Sequence, residues 1–306
     1  MSIQNKSVLI QSPGRMKRLK CRVLIILALI LVLITFSLKY LNSRFENEII
    51  QKNEILTSRL AEKVEHFLNK SLTLISKINH NIQKKKYLPT KDLNKHLSIC
   101  IKEYDLFNMM KILDEKGIVT HIAPFDEQLI GSDQFFDKYF QKTMEEKTVF
   151  WSPSFISSHT GLISSTLNFP ISNGVIACDI NLSILNEIID NIPIGKSGYA
   201  LLTDNYGILI AHGAGEFLLM KSNAKFLFHD LQKFEEGKGT VQHRIRGVKI
   251  FSSMDVVSPM NWRIIVNQPI ENIFVIIIEH AINFLACIII GIMILVFVQA
   301  RSYQTS

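Results

Sequence analysis

Residues 194–212 read IGKSGYALLTDNYGILIAH. A Gly-Lys-Ser triplet at 195–197 invites a phosphate-loop reading. Such a loop is GxxxxGK[ST] between a strand and a helix, because its amides and the helix N-terminus together cradle the phosphates. Five residues before Gly195 stands Asp190 rather than glycine, and the run after Ser197 alternates like a strand. The stretch is therefore read as a β-hairpin. Two apolar runs flank the turn Asp204-Asn-Tyr-Gly207, where Gly207 can take the left-handed conformation and Asp204 can accept from turn amides.

Working outward, the hairpin has an echo. KILDEKGIVTHI (111–122) and LLTDNYGILIAH (201–212) share apolar–Asp-x-x-Gly–Ile–apolar, with Asp114 aligned to Asp204 and Gly117 to Gly207 at an offset of 90 residues. Between the two copies, Asp133–Glu146 reads as a helix capped by Ser132 or Asp133. TVFWSPSFIS, LISSTLNFPIS and GVIACDINLS read as strands, and LSILNEIID as a short helix ending before Pro193. After the second copy come a helical connector (227–235), a strand pair with its turn at Arg246-Gly247, and NWRIIVNQP. The same order on both sides predicts two tandem modules.

Upstream lies a heptad-like stretch, Ser43 to Ile82, with apolar residues at Phe45, Ile49, Leu56, Leu60, Val64, Phe67, Leu74, Ile78 and Ile82. That spacing marks an amphipathic helix about 60 Å long. KKKYLPTK (84–91) ends it, and short apolar runs with turn residues follow.

The chain has 306 residues, 47% apolar residues and a mean hydropathy of +0.20. Two segments account for the apolar excess, Val23 to about Leu41 and roughly 273–300, and each is long enough to cross a bilayer. The net charge is +7, but six basic residues (Lys6, Arg15, Lys17, Arg18, Lys20, Arg22) precede the first apolar run and leave about +1 for the rest. This is a positive-inside signal rather than a nucleic-acid footprint. No small-x-small cleavage site follows the first span, so it is read as an uncleaved anchor. The expected order is a cytoplasmic N-terminus (1–22), a span (23–41), the long helix (42–83), two modules (84–190 and 191–269), a second span (273–300) and a cytoplasmic tail (301–306). This places the protein in the inner membrane as a two-pass chain with 42–272 periplasmic or extracellular.

Catalytic and metal chemistry find no pattern. The nine histidines include no HxH or HxxxH pair, no GxSxG elbow surrounds a serine, and no CxxC occurs. No cofactor, metal or enzymatic activity is expected. Cys100 and Cys178 could form a disulfide in an oxidising compartment or serve as small core residues. For a small-molecule pocket, Tyr139 and Phe140 on the predicted helix, with Trp151, Ser152 and Ser154 on the next strand, offer aromatic walls and hydroxyls. Asp179 interrupts an apolar strand, where an unpartnered carboxylate would be costly.

These features resemble the double Cache family of extracytoplasmic sensor domains, relatives of the PAS fold, over about 42–272. The resemblance rests on the long helix, GSDQFFDKYFQKT (131–143), SPSFISSHTGLISSTLNFPI (152–171), GVIACDINLSIL (174–185) and IGKSGYALLTDNYGILIAHG (194–213). It implies an α+β fold: a long N-terminal helix, then two tandem PAS-like antiparallel-sheet modules, flanked by two transmembrane helices. It also implies homodimers packed along the long helix, a membrane-distal ligand-binding module and a proximal transmitting one. The amino-acid-binding subfamily carries Arg-x-Trp-Tyr on the distal helix, and here Asp137, Tyr139 and Phe140 stand at those positions, so the carboxylate clamp is missing. Asp179 matches the acidic residue that would take a ligand's amino group. An amine, a cation or an uncharged molecule stays open as ligand. The expected function is a small-molecule sensor that signals across the membrane, with a histidine-kinase, cyclic-di-GMP or chemoreceptor output supplied elsewhere or by a partner. The alternative is a membrane-anchored binding or scaffold module without signalling output.

Overall fold

Helix α1 (Pro13–Lys84) runs unbroken through the heptad-like stretch, which contains neither proline nor glycine. The computed structural model describes residues 13–84, 90–190, 192–195, 197–213, 237–245, 247–269, 278, 281–286 and 288–291. Residues 1–12, the expected connector 227–235, Arg246, most of the second apolar segment and the tail 301–306 lie outside them. The chain divides into two compact units, one of 1–49 with 273–306 and one of 50–272. Among the described residues no helix is long and apolar enough to cross a membrane; the side chains of 13–31, which include the first half of the first apolar run, are outside that description.

Within residues 50–272, α1 buries Leu60, Val64, Leu68, Ser71, Ile75 and Ile78. These steps of three and four follow the 3.6-residue period. A stricter heptad count passes over Leu68 and Ile75, both fully buried, because it drifts relative to a straight helix. Helix α2 (Thr90–Tyr104) occupies a segment where the sequence pattern suggested only short apolar runs. Its buried face is narrow, Leu97 and Cys100, which gives a weak periodic signal.

The first sheet comprises β1 (Phe107–Leu113), β2 (Val119–Ala123), β3 (Phe150–Trp151), β4 (Phe155–Ile156), β5 (Ile163–Ile171) and β6 (Gly174–Asn181), in the order β2-β1-β6-β5-β3, with β4 also on β5. All pairings are antiparallel. One face carries Met110, Ile112, Leu167, Ile176, Cys178 and Ile180 into a core shared with α1 and α2. The opposite face carries Met109, Leu113, Val175 and Ala177 against Phe140 of α3 (Lys138–Glu146). β6 is buried along nearly its whole length, as a strand covered on both faces must be. Cys100 and Cys178 are reduced thiols in the first of these cores.

Helix α4 (Ile184–Asp190) leads to the second sheet: β7 (Tyr199–Thr203), β8 (Leu209–His212), β9 (Gly239–Ile245), β10 (Val248–Val257) and β11 (Trp262–Pro269), in the order β8-β7-β11-β10-β9. Ala200, Leu202, Val257, Trp262, Ile264 and Val266 enter the same core as α1 and the first sheet. α1 also bonds the second sheet's edges and loops. Glu54 Oε1 accepts from Thr240 Oγ1 at 2.9 Å, and Glu65 Oε1 accepts from the Ser258 amide at 2.7 Å.

The two Asp-x-x-Gly hairpins repeat atom for atom. Asp114 Oδ1 accepts from the amides of Lys116 and Ile118, each at 2.9 Å; Asp204 Oδ1 accepts from Tyr206 at 2.9 Å and Ile208 at 2.8 Å. Gly117 and Gly207 take φ of 80° and 82°, which favours glycine in both.

A candidate ligand-binding cleft between the two sheets

The site is organised by α3, whose start lies five residues later than the sequence pattern suggests. Neither Ser132 nor Asp133 caps it. Asp137 does, with Oδ1 accepting from the amides of Tyr139 at 2.8 Å and Phe140 at 2.9 Å. Asp137 thus satisfies two of the helix's orphan donors. The helix ends at Lys147, left-handed at φ 52°. Phe140 and Thr143 point into the core, while Lys138, Tyr139 and Lys142 remain on the outer side.

After Trp151 the chain breaks from its strand at Pro153, and the nearby hydroxyls have structural partners. Ser152 Oγ donates to the Pro153 carbonyl at 2.9 Å and accepts from the Thr166 amide at 2.8 Å. Ser154 Oγ, buried, donates to Asp204 Oδ2 at 2.8 Å. The loop after β3 is thereby tied to the hairpin of the second sheet.

Beside this tie lies a half-open cleft of about 230 Å³. Lys138, Tyr139, Lys142, Trp151, Ser152 and Pro153 line it from α3 and the β3 end of the first sheet. Asn205 and Tyr206 at the second hairpin's tip, with Met260 and Trp262 at the β10–β11 turn, line it from the second. Of the six residues expected at a pocket, Tyr139, Trp151 and Ser152 meet here. Ser154 sits behind them in its bond to Asp204. Phe140 is a core residue, 2% exposed.

Asp179 lies elsewhere. It projects from β6 on the face that meets α3, opposite Met109, and its Oδ1 accepts from Thr166 Oγ1 at 2.7 Å. Lys111, two positions along β1 on that face, donates from Nζ to Gln134 Oε1 at 3.3 Å. Among the described residues no group of three or more His, Cys, Asp or Glu could hold a metal ion.

Sequence reasoning passed over Lys138, Lys142, Asn205, Tyr206, Met260 and Trp262. Three of these left a signal. Lysines four apart around Tyr139 share a helix face, and Tyr206 is a large aromatic at a turn tip, half exposed. Met260 and Trp262 reach the cleft only through the fold.

A family model described as "Cache domain", of the dCache type, matches residues 42–275. No curated protein sequence matches. Among solved structures, the ligand-binding domain of the Pseudomonas aeruginosa PAO1 amino acid chemoreceptor PctC, in complex with GABA, is 17% identical with a TM-score of 0.59, over 69% of this chain and 96% of that one. The ligand-binding domain of Pseudomonas fluorescens chemoreceptor CtaA, in complex with L-isoleucine, is 17% identical with a TM-score of 0.61, over 76% and 98%. That of Campylobacter jejuni chemoreceptor Tlp3, in complex with 4-methylisoleucine, is 13% identical with a TM-score of 0.60, over 74% and 92%. At these identities the likeness speaks for the fold alone, and together with the family match over most of the sequence it gives one conclusion: the chain belongs to the double Cache family of extracytoplasmic sensor domains.

Proposed function

We propose that this protein is a two-pass inner-membrane sensor whose 42–272 region lies outside the cytoplasm and binds a small molecule. The reading assigns 84–190 to a membrane-distal module and 191–269 to a proximal one, with α1 pairing two copies of the chain. A signalling output comes from a partner or from another part of a receptor. The basic N-terminal segment and the two apolar segments support the topology.

One observation carries the reading: the cleft at Tyr139 and Trp151 is lined by both modules, and Ser154 and Asp204 tie those modules together beside it. A ligand that fits one arrangement of the two modules better than another shifts the balance between them by that difference in affinity. Tyr139, Trp151 and Ser152 form the ligand's walls in this reading, and Phe140 and Ser154 hold them in place. The solved relatives hold amino acids or GABA. Here Asp137 caps α3 in place of the arginine clamp and Asp179 lies outside the cleft, so neither group that holds an α-amino acid in that subfamily's way lines it.

The test uses the full chain in nanodiscs, with a photo-crosslinking residue at the exposed Lys63 of α1. A small-molecule library is first screened by thermal unfolding. A stabilising compound should change the yield of crosslinked dimer, and Trp151→Ala should abolish both effects. A dimer whose crosslinking ignores every stabilising compound would refute the sensor reading.

A further inference from the structure

Among the described residues, ten side chains line the cleft, and they include two lysines and no aspartate or glutamate. Lys138 and Lys142 lie one turn apart on α3, both exposed, and neither makes a salt bridge among the described residues. Lys138 Nζ sits 4.9 Å from the centre of the Tyr139 ring, and Lys142 Nζ sits 5.7 Å from that of Phe150. Two nearby carboxylates are engaged. Asp137 caps the helix through Oδ1, and Asp204 is buried with both oxygens accepting hydrogen bonds.

The other polar groups narrow the choice. The Ser152 and Ser154 hydroxyls have protein partners, which leaves the two ammonium groups, the Asn205 amide, two phenols and two indole N–H groups to read a ligand. The walls are aromatic: Tyr139, Trp151, Tyr206 and Trp262. Ring faces at this density suit a flat partner, and paired cations suit an anion. The half-open volume of about 230 Å³ is sufficient for a one-ring acid.

We propose that the cleft selects a small planar organic anion, an aryl carboxylate. Its carboxylate lies between the Lys138 and Lys142 ammonium groups, and its ring lies against Tyr139 and Trp151. The proposal rests on the reading that this cleft is the ligand site. It replaces the amine, cation or neutral molecule suggested by the missing arginine with a ligand of opposite charge, because the cations stand one and five residues after Asp137 rather than at it.

Trp151 and Trp262 are the only tryptophans in the chain, and both line the cleft, so intrinsic fluorescence reports on this site. The probes are benzoate, benzamide and benzylamine, titrated through the millimolar range into the full chain in detergent. Benzoate should give a saturable change. Benzamide and benzylamine should bind at least about tenfold more weakly. K138Q/K142Q should weaken benzoate at least about tenfold, leave benzamide unchanged and keep the wild-type melting temperature, since both side chains are exposed. Added salt should weaken benzoate alone. If benzamide or benzylamine binds as well as benzoate, or the double variant keeps benzoate affinity, the anion assignment is overturned while the cleft stands as a ligand site. If none of the three gives a saturable change, the anion assignment and the cleft both fall.

Discussion

Ser154 Oγ donates to Asp204 Oδ2 across fifty residues of chain, and through that bond the loop after β3 holds the tip of the β7–β8 hairpin. Asp114, in the equivalent place of the first hairpin, is half-exposed, and among the described residues only its turn amides engage its carboxylate. Ser154→Ala leaves a buried carboxylate oxygen without its donor and should cost about 1–3 kcal/mol. Asp204→Ala should cost about 3 kcal/mol, and Asp114→Ala about 1 kcal/mol. Chemical denaturation of the three variants checks this order, and equal losses at the two aspartates would contradict it.

Asp137 gives a sharper comparison because its role is local. Asp137→Ala removes the α3 cap and should cost about 1 kcal/mol, whereas Asp137→Asn should be nearly neutral, since asparagine caps equally well. A large loss for the asparagine variant would show that the charge, not the cap, matters at this position.

Stability should fall on mild acidification. Burial lowers the pKa of His121 and of His212 from 6.5, the Asp190 charge opposing it at His212. As pH drops through 6.5, the unfolded chain takes up protons that the folded imidazoles resist. The folded state therefore loses ground until the pH passes below each lowered value. The contribution is neutral above pH 7, where both states are deprotonated. His212→Gln should flatten the melting-temperature profile between pH 7 and 5, and an unchanged profile would remove His212 from the account.

Burial also raises the Cys178 thiol pKa well above its usual value, with the Asp179 charge next in effect. A thiol so poor in thiolate reacts slowly. Peptide-resolved maleimide labelling of the native protein should leave Cys178 unmodified and modify it fully in denaturant. Rapid native labelling would mean that the first core opens readily.

Much of the architecture was legible because it rests on local rules. The Asp-x-x-Gly hairpins announce their turns through the backbone demands of glycine and aspartate, and α1 announces itself by period and by the lack of breakers. Helix α2 was hidden because so little of it is buried. The start of α3 was misplaced because two aspartates and a serine within 132–137 could all cap, and only the fold decides between Asp133 and Asp137. At the candidate site, residue types were readable but partners were not. Ser152 and Ser154 looked like ligand hydroxyls, and their acceptors lie one and fifty residues away. Trp262 enters the cleft from a turn beyond the second hairpin, a neighbourhood that no spacing in the sequence encodes.

Helix α1 is a common wall: its Leu60-to-Ile78 face, with Glu54 and Glu65, serves both sheets in one continuous core. Two modules built this way do not have separate melting points to lose. Unseating the wall from either sheet exposes the core of both, so the region 50–272 should behave as a single cooperative unit. Calorimetry should show one endotherm for it, with van't Hoff and calorimetric enthalpies in agreement. The two sheets would then share a single stability, and a destabilising substitution in one would be felt by the other.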